Sequence, residues 1–508
     1  MSAAAHSRLA ALLAHRAPVA GHKPWARYDV DLATFDAVGE GLAHEGTLLG
    51  FWGDAGAVHL ALAAPALGGP CVVSFAVRDN TFPSIGRHHP PAIRLERAIC
   101  DLYGFAAVGA ADTRPWLDHG AWGVRAPLGA KAAAPPRDPT DYAFSPVKGE
   151  GLHQIPVGPV HAGIIEPGHF RFTANGEIVA RLEERLGYVH KGIDGLLTDC
   201  ALDQAARIAA RVSGDATVAL SFAFARAVEA ALDIAVPKRA EVLRGVMAEL
   251  ERIANHLGDI GAICNDAAFA LLHAHTGILR EAVLAASDRA FGHRLMMDAI
   301  VPGGLARDLD ADAARAIIAT LDDIAPRFAE IVDYYDETPS LQDRTCTTGI
   351  VSNELVTRWG AGGYVGRAAG RDFDARRDLA YPPYAGMSFK IPVLAAGDVD
   401  ARVRVRVAEV EASMALIRTW LGALPAGPVR VEVPQMAEPR EGVAVTEAFR
   451  GDLLVWLRVA AGRVARCHVR DASAFQWPLL EAAIEKNIVA DFPLCNKSFN
   501  CSYSGHDL

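Results

Sequence analysis

The stretch Lys238-Arg239-Ala240-Glu241-Val242-Leu243-Arg244-Gly245-Val246-Met247-Ala248-Glu249-Leu250-Glu251-Arg252-Ile253-Ala254-Asn255-His256-Leu257-Gly258-Asp259-Ile260-Gly261 follows directly on Pro237. Val242, Val246, Leu250, Ile253, Leu257 and Ile260 recur at steps of four and three, which places them on one face of a helix. At 1.5 Å per residue such a helix is about 36 Å long, enough to run through the centre of a domain. Glu249, Arg252, His256 and Asp259 form a second, polar stripe along it.

Upstream, Ala216 to Val236 is the window closest to a membrane span, but Arg226, Glu229 and Asp233 recur every three or four residues and mark a soluble helix. Nowhere do roughly 18 to 20 apolar residues run uninterrupted. Downstream, Val429-Arg430-Val431-Glu432-Val433 and Asp452 to Ala460 alternate like strands. Before all of these lies a Pro-rich connector at about 129 to 148, with Pro135, Pro136, Pro139 and Pro146, expected as an extended tether or a surface-packed segment. The first 128 residues carry strand-like runs at Val58 to Leu62 and Cys71 to Val77, then a helix-compatible run ending in Leu95 to Phe105. Leu9 to Ala14 is a short apolar run cut off by His15 and Arg16, which suits a short amphipathic helix better than a signal peptide. The expected fold is therefore α+β. A small N-terminal α/β domain, 1–128, is followed by the connector and by a large helix-rich domain, 149–508, built as a central helical bundle with peripheral strands.

A chain of 508 residues implies two or three units. A net charge of -10 without clustered Lys and Arg argues against a nucleic-acid partner. The eight Cys, at 71, 100, 200, 264, 346, 467, 495 and 501, form no CxxC, so neither a disulfide framework nor a zinc ribbon is suggested and a reducing compartment is the simpler setting. There is no G-x-G-x-x-G or G-x-x-x-x-G-K-[ST] to cradle a nucleotide.

Glu166 stands in His161-Ala162-Gly163-Ile164-Ile165-Glu166-Pro167-Gly168-His169-Phe170. A carboxyl in a Gly/Pro-rich loop beside two imidazoles can shuttle protons. The same composition also suits a loop whose turns are set by Gly and Pro and whose His residues bond backbone carbonyls. Arg211 offers a guanidinium to a carbonyl oxygen or an anion, or else to a structural salt bridge. The charged block Gly366 to Asp378 reads as a solvated surface. Gly366 and Gly370 permit close backbone approach there, which keeps Arg367, Asp374 and Arg376 as candidate cavity or interface groups. Glu96, Arg97 and Asp101, taken alone, read as a solvated helix face.

Three segments together carry a resemblance: Gly158-Pro159-Val160-His161, then Gly187-Tyr188-Val189-His190-Lys191-Gly192-Ile193-Asp194, then Asn255-His256-Leu257. They resemble the large subunit of membrane-bound, energy-converting nickel-iron hydrogenases and the quinone-site subunit of respiratory complex I. Glu96-Arg97-x-x-x-Asp101-x-x-Gly104, with Asp112 to Leu117 and Trp122 to Leu128, is similar to the small partner subunit of complex I, here fused ahead of the large one. The resemblance implies that Glu166 matches the proton-transferring Glu of the hydrogenases. It also implies that the loop carrying His161 and His169 matches the complex I loop whose His reaches the quinone headgroup. Arg367, Asp374 and Arg376 match a stretch close to the active cavity of both families, and Arg211, His256 and Asp266 become candidates for the quinone or acceptor cavity. Asp266 falls near the Asp that pairs with the loop His. Complex I supplies its quinone-binding Tyr from an Asp-Tyr-Val-Ser segment, and the matching Ala210-Arg211-Val212-Ser213 has no tyrosine.

The metal motif is altered. Arg211-Val212-Ser213-Gly214-Asp215-Ala216 stands where those hydrogenases carry Arg-x-Cys-Gly-x-Cys. The C-terminal Asp-Pro-Cys-x-x-Cys-x-x-His is represented by Asp491 to Leu508, with Cys495 and Cys501 six apart and only Asp507-Leu508 after His506. A soft nickel-iron centre takes thiolates, and a Ser hydroxyl stays protonated at neutral pH. No nickel-iron centre is expected, and Cys495, Cys501 and His506 are left as the only metal candidates, His506 for a hard cation or as part of a flexible tail. The resemblance implies a redox subunit of an energy-converting complex, held peripherally on the cytoplasmic face of a bacterial or archaeal inner membrane by its partners. These would be an iron-sulfur small subunit carrying the cluster, a ferredoxin-like subunit and antiporter-like membrane subunits, with a quinone or another small redox substrate as acceptor. Quinone reduction as in complex I, or conformational coupling without turnover, are the alternatives.

Overall fold

The computed structural model describes residues 7–138 and 141–508. Pro139 of the connector and the first six residues lie outside the described residues. The architecture is α+β. The N-terminal unit is a four-stranded sheet in the order Ala26–Val30, Cys71–Ala76, Ala57–Ala63, Thr47–Asp54, parallel only at its first pair. Helices Leu32–Glu45 and Ile93–Tyr103 pack on it around Phe35, Val38, Phe51, Leu60 and Phe75. The short apolar run near the start forms the helix Arg8–Leu13, capped by Ser7.

The polar face of Ile93–Tyr103 is not solvated. Glu96 is buried and accepts from Gly86 N at 2.7 Å and Ser84 Oγ at 2.9 Å. Arg97 donates to Arg114 O at 2.7 Å, and Asp101 Oδ2 accepts the backbone N–H groups of Trp116, Leu117 and Asp118. Ser84 and Gly86 for Glu96, and backbone groups of the 114–118 segment for Arg97 and Asp101, replace the water that these side chains were expected to meet.

The connector lies packed along the surface. The Tyr142 hydroxyl accepts from Arg97 at 2.8 Å while the Arg185 guanidinium lies 4.3 Å from its ring centre, and Ser145 N donates to Glu183 at 2.8 Å.

In the large unit, the long helix runs Lys238–Asp266 and is flanked by Thr217–Leu232, Ala270–Phe291, Ala311–Glu337 and Val399–Gly422. Its apolar face enters the main core, and its second stripe is equally buried: Glu249, Arg252, His256 and Asp259 are all inside. Thr217–Leu232 is also almost wholly buried, and its first N–H groups are capped by Glu251 from the long helix, at 2.7 Å to Val218 N and 3.1 Å to Ala219 N. Besides the small hairpin Ile300–Val301/Gly304–Leu305, peripheral strands form two larger sheets. One is the meander Leu152–Val157, His169–Asn175, Ile178–Arg185. The other is five-stranded, centred on Arg440–Ala448, Gly451–Ala460 and Arg463–Arg470, and takes its edge strand His22–Lys23 from the N-terminal unit.

Val429 to Val433 is not a strand. It makes one isolated bridge, Arg430 to Gly304, because its neighbour Gly304–Leu305 is itself half of a two-residue hairpin and Pro434 removes the next donor.

Candidate functional site

The loop between the first two strands of the meander carries Glu166. Gly158 opens it at φ +86°, where an added Cβ would meet Gly168 O at 2.2 Å, so the two ends of the loop touch and a side chain at 158 is excluded. The loop bends over the C-terminal helix Tyr503–Asp507. Glu166 Oε2 accepts from Ser504 N at 3.0 Å, and His161 Nε2 lies 3.3 Å from the Tyr503 hydroxyl. Tyr503 is buried against Trp477, with ring centres 4.7 Å apart, and burial raises its phenol well above the ordinary value. His169 sits at the loop's end, held by Gly158 O at 3.4 Å and by Arg171 at 3.3 Å, and burial lowers its pKa so that the ring stays neutral.

The altered metal motif lies beside this loop. Ser213 Oγ donates to Asp215 Oδ1 at 2.7 Å and lies 2.9 Å from Ser502 Oγ, which is 3.4 Å from Ser504 Oγ. Arg450 binds the Asp215 carboxylate, and Lys191 donates to Val212 O at 2.7 Å and Arg211 O at 3.1 Å. Burial lowers the Lys191 pKa, against the opposing pull of Glu166 and Asp507, which puts this ammonium within electrostatic reach of Glu166. The result is a set of hydroxyls running from Asp215 to the residue that holds Glu166. Tyr503, Ser502, Ser504 and Lys191 escaped the sequence reading. A signal existed in the Ser-Tyr-Ser run that follows Cys501, but nothing local told that it folds back onto residue 213.

These residues do not fit a nickel-iron centre. Ser213 spends its hydroxyl on Asp215 and Ser502, and Ala216 offers no donor. Cys495 lies against Gly349 and Arg402, whereas Cys501 lies 4.0 Å from Gln476 Oε1. Burial pushes the Cys495 thiol up to about 12 and the Cys501 thiol well above its ordinary value, so neither is a ready thiolate. Among the described residues no three His, Cys, Asp or Glu side chains converge as a ligand set. His506 is no flexible tail. It sits in the packed C-terminal helix with Nδ1 at 2.8 Å from Asp507 Oδ1, because Asp507 and Leu508 are themselves bound by Val189 N, Lys191 N and Gly192 N.

The remaining candidates lie elsewhere. Arg367, Asp374 and Arg376 are fully buried in the bundle and line no open cavity. Arg367 meets Glu447 at 3.0 Å, Asp374 at 3.2 Å and Glu409, while Arg376 meets Asp374 at 2.7 Å and Glu249 at 3.1 Å. His256 joins the same cluster through Glu409 at 2.6 Å, its pKa lowered by burial. Carboxylates from distant segments neutralise these buried members of the charged block, while Asp372, Arg377 and Asp378 of the same block lie exposed on the surface, as expected. Arg211 is exposed and forms the structural salt bridge, with Nη2 at 2.8 Å from Asp298. Asp266 closes the long helix near Lys497 and His273, and no contact joins it to His169.

Residues 259–443 match the family described as respiratory-chain NADH dehydrogenase, 49 Kd subunit. The chain is 30% identical to formate hydrogenlyase subunit 5 of Escherichia coli, over 84% of this chain and 77% of that one. It is 31% identical to the carbon monoxide-induced hydrogenase of Rhodospirillum rubrum, over 68% of this chain and 97% of that one. Among solved structures, a chain of the archaeal membrane-bound sulfane sulfur reductase superposes with a TM-score of 0.67 at 23% identity, covering 72% of this chain and 100% of that one. With a Glu166 loop folded over an altered metal motif, and with these matches along most of its length, the chain belongs to the family of hydrogenase large subunits that includes formate hydrogenlyase subunit 5 and is related to the 49 Kd subunit of respiratory NADH dehydrogenase.

Proposed function

We propose that this chain is the redox subunit of a membrane-associated energy-converting complex, in which the Glu166 site handles protons while electrons arrive from an iron-sulfur cluster in a small partner subunit. The observation that carries the reading is the junction of Glu166 with the Ser504, Ser502, Ser213 and Asp215 groups, next to Lys191, where the family's metal motif is altered. Glu166 is only partly buried, so it has a side open to solvent or a partner as well as the oxygen that accepts from Ser504 N. A carboxyl so placed takes a proton at Oε1 or Oε2 and releases it, and the hydroxyl set gives that proton a short hydrogen-bonded neighbourhood. The exposed Val160 and Ile164 on the same loop suit burial against the small subunit. Attachment to the membrane through ferredoxin-like and antiporter-like partners accords with the fact that no single described helix is long and apolar enough to cross one.

A quinone-reducing reading has its own support. Tyr503, from the C-terminal helix, brings a phenol to His161 and supplies the Tyr-His pair that segment 210–213 lacks. His161 and Tyr503 would hold the acceptor's carbonyl oxygen, and Glu166 would supply the proton.

Both readings are tested on the intact complex with Glu166→Gln, which keeps shape and removes the titratable proton. Turnover is expected to fall at least about tenfold, towards the 10²- to 10⁴-fold range of acid-base groups. Normal turnover in a normally assembled complex overturns the proton role. Tyr503→Phe separates the two: a rise in KM for quinone with little loss with other acceptors favours quinone reduction.

A further inference from the structure

The seam between the N-terminal unit and the large unit encloses a cavity of about 60 Å³. It lies under the helix Ile93–Tyr103, with Trp52 and Leu95 on one side, Asp194, Arg466 and His468 on another, and the C-terminal helix with His506 at one end. Size decides what it holds. A cavity of about 150 Å³ accepts benzene, so a quinone ring is excluded, whereas each water needs about 10–15 Å³. Room for roughly four waters remains.

Chemistry points the same way. Three residues lining the cavity each keep a buried polar atom without a protein partner: Asp194 Oδ1, Arg466 Nε and His468 Nε2. All three residues are more than nine-tenths buried. The Trp52 indole N–H is likewise unmatched. A buried polar atom left dry loses the hydrogen bonds that water gives it in the unfolded chain, and is costly for that reason. One acceptor, one donor and one imidazole nitrogen around a space of this size are what bridging water satisfies.

The groups are also arranged to hold a proton. Asp194 Oδ2 accepts from Arg466 at 2.9 Å and faces His468 Nδ1 at 3.7 Å, and Arg466 holds the Asp194 carboxyl down at about 2 despite its burial. The imidazole lies flat on Trp52, ring centres 5.3 Å apart, which fixes its plane. A carboxylate behind Nδ1 orients the ring and stabilises its cation, leaving Nε2 as the atom free to accept. Arg466 and Arg470 face the same ring and oppose its protonation, as does burial.

We propose that this seam cavity is a hydrated proton-holding site, in which His468 Nε2 receives a proton from solvent by way of the enclosed water and Asp194 supports the resulting imidazolium. The balance is simple: a proton entering from solvent is relayed by a cavity water, which gains one O–H bond as it gives up another, one N–H forms at Nε2, and that bond breaks when the proton leaves by the same water. At the far end His506 and Asp507 meet the cavity two and three residues beyond Ser504, whose backbone holds Glu166. The assignment does not rest on Glu166, because every readout below is on His468 and the cavity.

The test uses the full chain. A high-resolution crystal structure is expected to show ordered waters bonded to Asp194 Oδ1 and His468 Nε2, with no xenon entering under pressure. A dry cavity that takes up xenon overturns the proposal. Nitrogen-15 NMR of labelled histidines is expected to show His468 as the Nδ1–H tautomer, titrating below free imidazole, and lower again in Asp194→Asn. Ala98→Leu, which fills the cavity from the N-terminal helix, is expected to displace the waters and suppress that titration. If either variant fails to fold, the wild-type titration still decides, since a His468 that stays silent between about pH 4 and 8 with water present sinks the proton role.

Discussion

Four carboxyls, Glu249, Asp374, Glu409 and Glu447, share three guanidiniums, Arg252, Arg367 and Arg376, in the fully buried heart of the bundle. With His256 against Glu409 at 2.6 Å as a further titratable partner, so dense a set of buried charges is sensitive to where its protons sit. Burial, with Asp374 close by, pushes Glu447 up to about 7, and Arg367 pulls the other way. Of the four carboxyls it is the one whose pKa is raised, since the guanidiniums lower those of Glu249, Asp374 and Glu409. For an acid whose folded pKa is raised, the folded state is at its best below the unfolded pKa of about 4.5, and stability is lost as pH rises through the folded value. The loss amounts to roughly 3 kcal/mol between about pH 4.5 and 7. Urea unfolding across that range should show the decline, and Glu447→Gln should flatten it; an equally steep decline in the variant would reassign the proton. Arg367→Leu is a different matter, because it strands carboxylates that cannot reach water. A cost of about 3–5 kcal/mol is expected from unfolding midpoints at neutral pH. The candidate residues 367, 374 and 376 were legible as special from their glycines and charges. Their burial was not, since Glu409 and Glu447 lie far away in sequence.

Helix pairing shows where local pattern stops being informative. The apolar period of Lys238–Asp266 named the central helix because steps of three and four depend only on the helix itself. The polar stripe was legible as a stripe but its burial was not, for the same reason: period says which residues share a face and says nothing of what lies opposite. Likewise the alternation at 429–433 marked a strand that has no partner strand to pair with. Gly261 illustrates how packing overrules propensity. Alanine is favoured over glycine in a helix by about 1 kcal/mol. Yet a Cβ at 261 would stand 2.0 Å from Thr276 Oγ1 and 3.0 Å from the His273 backbone, forcing this helix away from Ala270–Phe291. Overpacking costs about 1–3 kcal/mol, so Gly261→Ala should destabilise by roughly 1–2 kcal/mol net. Gly258→Ala is the control. Its added Cβ meets only the Arg280 side chain, at 3.1 Å, which can move aside, and that variant should be neutral or slightly more stable. Equal losses in both, measured by thermal unfolding, would contradict the close-approach account.

At the scale of the molecule, the Pro-rich connector joins two units whose contact is not that of a loose tether. Trp52 packs on Trp456 across the seam, ring centres 5.5 Å apart, both fully buried. Arg466 and Arg470 of the large unit donate to Gly53 O and Leu49 O of the small one, at 3.1 and 2.7 Å. Arg94 reaches back to Glu184 and Glu481, and His22–Lys23 adds a strand to the larger sheet. Loose inter-domain contacts are mostly polar, whereas a buried tryptophan pair and a shared sheet resemble the inside of one domain. Covalent continuity through the connector should then matter little once the chain has folded. Limited proteolysis is expected to cut first between Gly129 and Lys148, where most residues are exposed. The nicked protein should nevertheless elute as one species from a sizing column in native buffer and separate into two fragments only in denaturant. Fragments that part in native buffer would mean that the seam does not hold by itself. In that case the cavity between the units would open whenever the connector is cut, and the His468 titration would move towards that of an exposed imidazole in the nicked sample.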